Sequence, residues 1–233
     1  MCDIKELYNA RHAEVSSYQD ECGNIDGSVN QFTNLFKSKN SNVLDIGCYI
    51  GTFPYTLYKK GFKNVYGIDV ASDAIKHGHL HYPEIEEKLI ECDDENIPFS
   101  DAEFDIVTMF NVVEHLKDPE KYLVEVYRVM KKGAFLLIQT PNKPYDVIYE
   151  TFKYRSLRWR EYHCALQTSY SLRRLLKRSG FSNFHLIRAN LGSQYYKNKL
   201  ETNIGKCTSK LLPLMVVLPV SVYPVLTVLS TKK

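Results

Sequence analysis

A carboxylate and two glycines lie close together in one stretch of the 233-residue chain and could form a ligand-binding turn. Asp45 precedes Gly47 and Gly51, and Cys48 lies between the two glycines. Glycine suits such a turn because a side chain would keep the backbone away from a ligand. In doubly wound α/β proteins a glycine turn between a strand and a helix binds part of a nucleotide. Short motifs of this kind also occur by chance, so the residues that follow must support the prediction.

Further acidic residues stand at the ends of the next two apolar segments. Asp69, followed by Val70, ends the second segment, where a carboxylate can accept hydrogen bonds from both hydroxyls of a ribose. Asp93 and Asp94 end the third segment, and a carboxylate there could accept a hydrogen bond from the amino group of adenine while Ile97 covers the ring. The three segment ends therefore predict contacts to an amino-acid group or turn, a ribose and a base.

A parallel sheet would bring these residues together, because the carboxyl ends of its strands meet at one edge. The apolar run 104–110 is typical of a strand that is buried on both faces. Asp118 before Pro119 is typical of the start of a helix. Strands are predicted at 43–46, 65–69, 88–92, 104–110, 134–139, 184–188 and 225–230, and helices at 28–36, 52–60, 72–81, 119–133 and 169–179.

Taken together, these motifs resemble the class I S-adenosylmethionine-dependent methyltransferases, and within them the branch of quinone-biosynthesis methyltransferases. The resemblance covers residues 40–142 well and residues 163–188 more loosely. It implies an α/β fold with a Rossmann-like, doubly wound, seven-stranded sheet, mostly parallel with the last strand antiparallel, helices on both faces and a lid insertion. The motifs that carry it are 43–53, Asp69, 93–99, 104–107, Glu114–His115 and 128–133.

The resemblance also implies a cofactor, a reaction and candidate catalytic residues. S-adenosyl-L-methionine would be the cofactor and S-adenosyl-L-homocysteine the product, and the expected reaction is O-methylation of a small-molecule acceptor, which could be lipophilic. The end of the fourth strand, from Asn111 to His115, is expected to open beside the sulfonium of the cofactor. His115 could take the proton of a hydroxyl nucleophile near neutral pH. His163 resembles a histidine that precedes the next helix in relatives, and is a second candidate base.

Other interpretations of the acceptor side stay open. In quinone-type relatives, the pair that corresponds to Glu114 and His115 is associated with a divalent cation, together with a glutamate three residues earlier. Asn111 takes that earlier position here, which keeps an oxygen ligand but loses a charge, so a divalent cation stays possible while no residue is assigned to a metal. Alternatively, Glu114 caps backbone amides, His115 packs under the next helix, and His163 is an ordinary lid residue.

The chain is predicted to form one methyltransferase domain with four parts. These are an N-terminal helical cap (1–40), a cofactor-binding core (41–142), an aromatic and basic lid insertion (143–168) and a C-terminal part of the sheet (169–233) with an apolar cap segment. The uncharged run 211–229 is long enough to span a membrane. Its prolines disfavour one continuous helix, so contact of 211–224 with a membrane surface remains the alternative.

Composition narrows the function classes. The apolar content of 44% suits a substantial core, and a net charge of +3 is too small to indicate nucleic-acid binding. Six cysteines without a Cys-x-x-Cys pair, and a charged N-terminus, predict a reduced cytoplasmic protein that could associate with a membrane. Two alternatives remain: a catalytically silent scaffold or sensor that binds the cofactor, and an RNA methyltransferase. The latter would need an Asn-Pro-Pro-Tyr-type strand end, which 111–114 does not supply.

Overall fold

The structure, a computed structural model, describes residues 24–93, 95–154, 163–188, 219, 221 and 223–233. Its strands are β1 Val43–Ile46, β2 Val65–Asp69, β3 Leu89–Glu91, β4 Phe104–Phe110, β5 Met130–Pro141, β6 Ser182–Ile187 and β7 Val225–Thr231. Its helices are α1 Ile25–Leu35, α2 Thr52–Lys59, α3 Ser72–His81, α4 Pro119–Val129, α5 Lys143–Tyr154 and α6 Ser169–Arg178, with 3-10 turns at Pro83–Lys88 and Val113–His115.

The strands form one sheet in the order β3-β2-β1-β4-β5-β7-β6. The pairs among β1 to β5 are parallel, and β7 lies antiparallel between β5 and β6. This confirms the predicted doubly wound, seven-stranded sheet with an antiparallel last strand. Because the strand order reverses between β1 and β4, the carboxyl ends of these two strands form the crevice where ligands bind in such sheets.

Helices cover both faces of the sheet, because the central strands are apolar on both sides. Leu44 of β1 belongs to a core cluster that includes Leu123 of α4 and Leu172 of α6. Its neighbour Val43 belongs to a second cluster, which includes Phe32 of α1. Adjacent strand residues point to opposite faces, so the two clusters are the two sides of the sheet, and the site edge is supported from both.

Several element boundaries differ from the prediction. Helix α4 ends at Val129, and β5 begins at Met130 rather than at residue 134. The amide of Gly133 donates to the carbonyl of Lys232 at 2.9 Å, and the amide of Lys232 donates to the carbonyl of Ala134 at 3.0 Å. Met130 also pairs with Phe104 of β4, so strand pairing overrides the local helical pattern between residues 130 and 133. Strand β3 is shorter than predicted, and β6 starts two residues earlier.

Parts of the predicted cap and lid lie outside the described residues. Of the N-terminal cap only 24–40 is described, and α1 begins at Ile25, where the Asn24 side chain accepts a hydrogen bond from the amide of Gly27. The lid begins with α5, whereas 155–162 is not described, and neither is most of the apolar segment 211–222. Within the described ranges, no helix has the length and apolarity that crossing a membrane requires.

Candidate active site

The glycine turn follows β1 and is held by hydrogen bonds to the neighbouring strand. The amides of Gly47 and Cys48 both donate to the carbonyl of Ile68, at 2.8 and 3.0 Å. Gly47, Tyr49 and Gly51 have φ angles of 74°, 56° and 83°, a left-handed conformation that glycine adopts readily and tyrosine does not. Gly51 is also the N-cap of α2, so the positive end of that helix dipole faces the turn.

The two glycines are also required by packing within the protein. A Cβ atom on Gly47 would lie 2.3 Å from Cγ2 of Val112, and one on Gly51 would lie 2.6 Å from Cδ2 of Leu89. The sequence suggested that a side chain would obstruct a ligand, but here it would first meet neighbouring side chains. The contact with Val112 has a second consequence, because it joins the glycine turn to the segment that follows β4.

Asp69 connects the end of β2 to the glycine turn. Its Oδ2 accepts the amide of Tyr49 at 2.7 Å, and its Oδ1 accepts the amide of Ala71 at 2.9 Å. The side chain is half-buried, and Val70 beside it is also half-buried. Each carboxylate oxygen can accept more than one hydrogen bond. The two amide bonds therefore fix the carboxylate in orientation, and its contact with a ribose stays a prediction.

Asp45 and Cys48 are both buried in the structure. Asp45 is 3% exposed, and Oγ1 of Thr108 donates to its Oδ1 at 2.6 Å. Burial raises the pKa of Asp45 to about 7, Thr108 opposes that shift, and the charge of Asp69 adds to it. Burial also raises the pKa of the Cys48 thiol, which packs in a small cluster with Leu89. Direct contacts of these two side chains with a ligand stay predictions.

The loop after β3 carries the predicted adenine contacts. Oδ1 of Asp93 accepts the amides of Asn96 and Glu95 at 2.6 and 2.9 Å, and these bonds lower the pKa of Asp93. Ile97 is only 2% exposed and belongs to the main core cluster, so most of its side chain packs inside the protein. Asp94 lies outside the described residues. Asp93 and Ile97 as adenine contacts remain predictions.

Arg128 of α4 anchors this loop, a role that the sequence did not indicate. Its guanidinium donates to the carbonyls of Ile97 and Phe99 at 3.0 and 2.8 Å, and it pairs with Glu125 and Asp101. The sequence identified the run around Arg128 as a family motif but gave no partner for it. Since planar guanidinium groups can bond several oxygens at once, one side chain fixes the loop that carries Ile97.

The segment after β4 contains a buried acid. Asn111 is exposed, with a φ of 56°, and its amide donates to the carbonyl of Gln139 at 2.8 Å. Glu114, in the following 3-10 turn, is 1% exposed and accepts a hydrogen bond of 2.8 Å from Oγ1 of Thr140. Burial raises the pKa of Glu114 to about 7, while its own backbone amide and Thr140 oppose the shift.

These residues do not fit a divalent cation. The carboxylate of Glu114 is buried and bonded to Thr140, and the neutral Asn111 replaces the glutamate that quinone-type relatives have. Among the residues that the structure describes, no group of three or more His, Cys, Asp or Glu side chains could hold a metal ion. No metal is therefore assigned a role here.

Two histidines and a lid acid lie beside Glu114. The rings of His115 and His163 are 5.0 Å apart between centroids. Nδ1 of His163 lies 2.8 Å from Oδ2 of Asp146, which stands in the first turn of α5. The amide of Ala165 donates to the carbonyl of Glu114 at 2.9 Å. The structure thus brings all three predicted catalytic residues together and adds Asp146, which no local pattern in the sequence indicated.

Comparisons with known proteins identify the family of this chain. Residues 24–186 match a family model described as a methyltransferase domain. The chain is 33% identical over 161 residues to the ubiquinone biosynthesis O-methyltransferase of Hydrogenovibrio crunogenus, covering 61% of this chain and 66% of that protein. It is 32% identical over 117 residues to the mitochondrial enzyme of the same name from Candida albicans, covering 48% and 36%. The chain thus spans less than two thirds of either relative.

Solved structures show the same fold. The phosphoethanolamine N-methyltransferase 2 of Haemonchus contortus, in complex with S-adenosyl-L-methionine, superposes with a TM-score of 0.73 at 16% identity, covering 100% of this chain and 60% of that one. At that identity the likeness concerns the fold alone. The family model, by contrast, covers more than half of this chain and confirms the resemblance seen in the sequence. The chain belongs to the class I S-adenosylmethionine-dependent methyltransferase family.

Proposed function

We propose that this chain transfers a methyl group from S-adenosyl-L-methionine to a hydroxyl group of a small-molecule acceptor. The observation that carries the proposal is the contact between the two halves of the site. Gly47 lies in the glycine turn from Gly47 to Gly51, called the cofactor turn from here on, and packs against Val112. Val112 directly precedes the 3-10 turn that holds Glu114 and His115. The segment that carries the proposed bases therefore adjoins the turn that is proposed to hold the cofactor.

The cofactor side divides into three contacts. Asp69 is proposed to accept hydrogen bonds from the ribose hydroxyls, for which its two bonds to backbone amides pre-orient it. The turn from Gly47 to Gly51 and the N-terminus of α2 are proposed to receive the methionine end, where a carboxylate favours a helix N-terminus. Asp93 and Ile97 are proposed for the adenine. When bound, S-adenosylmethionine supplies an electrophilic methyl group on a sulfonium.

The acceptor side supports a hydroxyl nucleophile. Methyl transfer needs alignment above all, but a hydroxyl oxygen gains nucleophilicity when it loses its proton. His115 and His163 both lie beside Glu114, and imidazole accepts protons near neutral pH. The relatives named ubiquinone biosynthesis O-methyltransferases support O-methylation and a lipophilic acceptor. Membrane contact through 211–224 stays a prediction, since most of that segment is not described.

The experiment is an acceptor screen that measures S-adenosylhomocysteine formation. The purified chain is incubated with S-adenosylmethionine and with phenols, catechols, aliphatic alcohols and matched amines. Each reaction is run once with EDTA and once with magnesium. We expect turnover with phenolic hydroxyls that is independent of the metal. Turnover of amines alone would contradict O-methylation. Tight binding of S-adenosylhomocysteine without turnover of any acceptor would instead favour the silent scaffold.

A further inference from the structure

Asp146 and His163 form a carboxylate–imidazole pair at the base of the lid. Oδ2 of Asp146 and Nδ1 of His163 are 2.8 Å apart, and their side chains are 11% and 12% exposed. In a site that is mostly shielded from water, such a hydrogen bond is stronger than it would be on the surface. The pair has the geometry by which a carboxylate fixes the tautomer and the ring orientation of a histidine.

Both partners are held by backbone hydrogen bonds. The amide of Asp146 donates to the carbonyl of Asn142 at 3.1 Å, and Nδ2 of Asn142 donates to the carbonyl of Tyr223 at 2.7 Å. On the other side, the amide of Ala165, two residues after His163, donates to the carbonyl of Glu114. The carboxylate and the imidazole are therefore both connected to the sheet edge.

The polarity of this hydrogen bond defines the chemistry of the ring. An ionised carboxylate only accepts hydrogen bonds, so Nδ1 of His163 is the protonated nitrogen. In the neutral ring Nε2 then carries the lone pair and is the nitrogen that can take up a proton. The charges of His163 and Asp146 both act on the carboxyl of Glu114, and the ring of His115 lies beside that of His163. The pair therefore belongs to the acceptor side of the site.

We propose that Asp146 is a positioning residue that holds His163 in the tautomer whose Nε2 removes the proton of the acceptor hydroxyl. This inference rests on the proposed function. The O–H bond breaks, the proton passes to Nε2, and its electron pair stays on the acceptor oxygen. That oxygen forms the new C–O bond as the sulfur takes the electron pair of the methyl–sulfur bond. His163 afterwards releases the proton to water.

The inference defines the class of acceptor. A base is needed only if the hydroxyl keeps its proton at the working pH, so the natural acceptor has a hydroxyl that is protonated there, as in a weakly acidic phenol, and not one that is already ionised. Loss of His163 or Asp146 should therefore matter more as the acceptor becomes less acidic. A merely structural role of the pair would reduce turnover of all acceptors alike.

The test compares catechol, which is protonated at neutral pH, with 4-nitrocatechol, which is largely ionised there. For His163→Gln we expect kcat to fall about 100-fold or more with catechol, the usual size of general base catalysis, and less than about threefold with 4-nitrocatechol. Asp146→Asn should cost about tenfold with catechol, since the base remains but its tautomer is no longer fixed. Asp146→Glu should recover part of that loss.

The matched control is Asp73→Asn, which makes the same change in the first turn of α3, where the exposed carboxylate pairs with Lys76. It should leave both rates unchanged. Calorimetric affinity for S-adenosylhomocysteine should be the same in the wild type and in Asp146→Asn. If Asp146→Asn does not fold, His163→Gln and Asp146→Glu decide the matter.

Two results overturn the inference. Equal losses with both catechols, or no loss in Asp146→Asn, would show that the pair does not position a base. A wild-type chain that binds S-adenosylhomocysteine but methylates neither catechol would contradict the proposed function itself. The two failures are thus distinguishable, since the first appears in the variants and the second in the wild type.

Discussion

The cofactor side and the acceptor side of the site are built in different ways. On the cofactor side, backbone amides of Tyr49 and Ala71 fix the carboxylate of Asp69 within two adjacent parallel strands. On the acceptor side, side chains bond to side chains, as in Thr140 with Glu114 and Asp146 with His163, and the partners come from β5 and the lid. The first arrangement follows from the fold, and the second depends on which side chains are present.

This difference suggests how proteins that share this fold can bind different methyl acceptors. The amides of Gly47 and Cys48 bond to the carbonyl of Ile68, and the amide of Tyr49 bonds to Asp69, so the cofactor turn keeps its place while the glycines and Asp69 remain. The acceptor side can change through a few substitutions without disturbing the sheet. The predictions below test this contrast, beginning with the largest expected effect.

Asp69→Ala should weaken binding of S-adenosylhomocysteine about 100-fold or more, measured by calorimetry. The substitution removes the proposed ribose acceptor and the bond that orients the turn, and hydrogen bonds to a charged group contribute about 1.5–3 kcal/mol each. Asp73→Ala, which removes an exposed carboxylate of α3, is the control and should bind normally. An unchanged affinity in Asp69→Ala would contradict the assignment of the ribose site.

Gly51→Ala should destabilise the protein more than Gly61→Ala does. Both glycines have positive φ angles, of 83° and 93°, but only a Cβ on Gly51 would meet another side chain, at 2.6 Å from Leu89. We expect the free energy of unfolding to fall by about 2–4 kcal/mol for Gly51 and by about 1 kcal/mol for Gly61, measured by urea denaturation. Equal losses would show that the backbone conformation alone requires glycine at 51.

Asp45→Asn and Glu114→Gln should each reduce the pH dependence of stability. The folded protein raises the pKa of each acid to about 7, above ordinary values of 3.8 and 4.5. The stabilisation that each protonated acid gives is therefore complete at a pH below its ordinary pKa and is lost as pH rises through about 7. The free energy of unfolding of the wild type should fall over this range, and each variant should make that fall smaller by about 1–3 kcal/mol. Glu120→Gln, at the exposed start of α4, is the control.

The two acids belong to different parts of the site: Asp45 directly precedes the cofactor turn in the sequence, and Glu114 lies on the acceptor side. Urea denaturation of both variants between pH 4 and pH 8 therefore measures each side separately. A wild type that is equally stable across this range would contradict the prediction, because it would show that burial does not raise the pKa of either carboxyl.

Arg128→Ala should have the smallest effect, weakening S-adenosylhomocysteine binding about three- to tenfold. Without the guanidinium, the carbonyls of Ile97 and Phe99 lose their donor and the adenine loop is less well ordered. Lys121→Ala is the matched control, because Lys121 forms an exposed ion pair with Glu95 of the same loop at 3.0 Å. Exposed pairs contribute little, so that variant should bind normally in the same calorimetric titration.

The sequence predicted the cofactor side well because its signals are local. Apolar segments that end in an acid or a glycine turn identified β1, β2 and Asp69 directly, and the antiparallel β7 followed from the resemblance. The predicted start of β5 was wrong, because Met130 already pairs with Phe104 of β4 and Gly133 bonds to Lys232, far along the chain. No pattern around these residues contains that information.

The acceptor side was predicted only in part, because its contacts join elements that are far apart in the sequence. The resemblance indicated His115 and His163, but Asp146 bonds to His163 only once β5 and α5 bring the two residues together. Ile97 was predicted to cover the adenine ring, and its packing in the core cluster, which the sequence did not indicate, leaves that contact a prediction. Contacts that depend on packing between distant elements need the structure to be seen.

The most direct test of the central claim is a crystal structure of the chain with S-adenosylhomocysteine. We predict the ribose hydroxyls within hydrogen-bonding distance of Asp69 and the homocysteine end over the turn from Gly47 to Gly51. The sulfur should then point toward the segment that carries His115. A crevice beside Asp69 that stays closed by side chains, or a ligand bound elsewhere, would contradict the account.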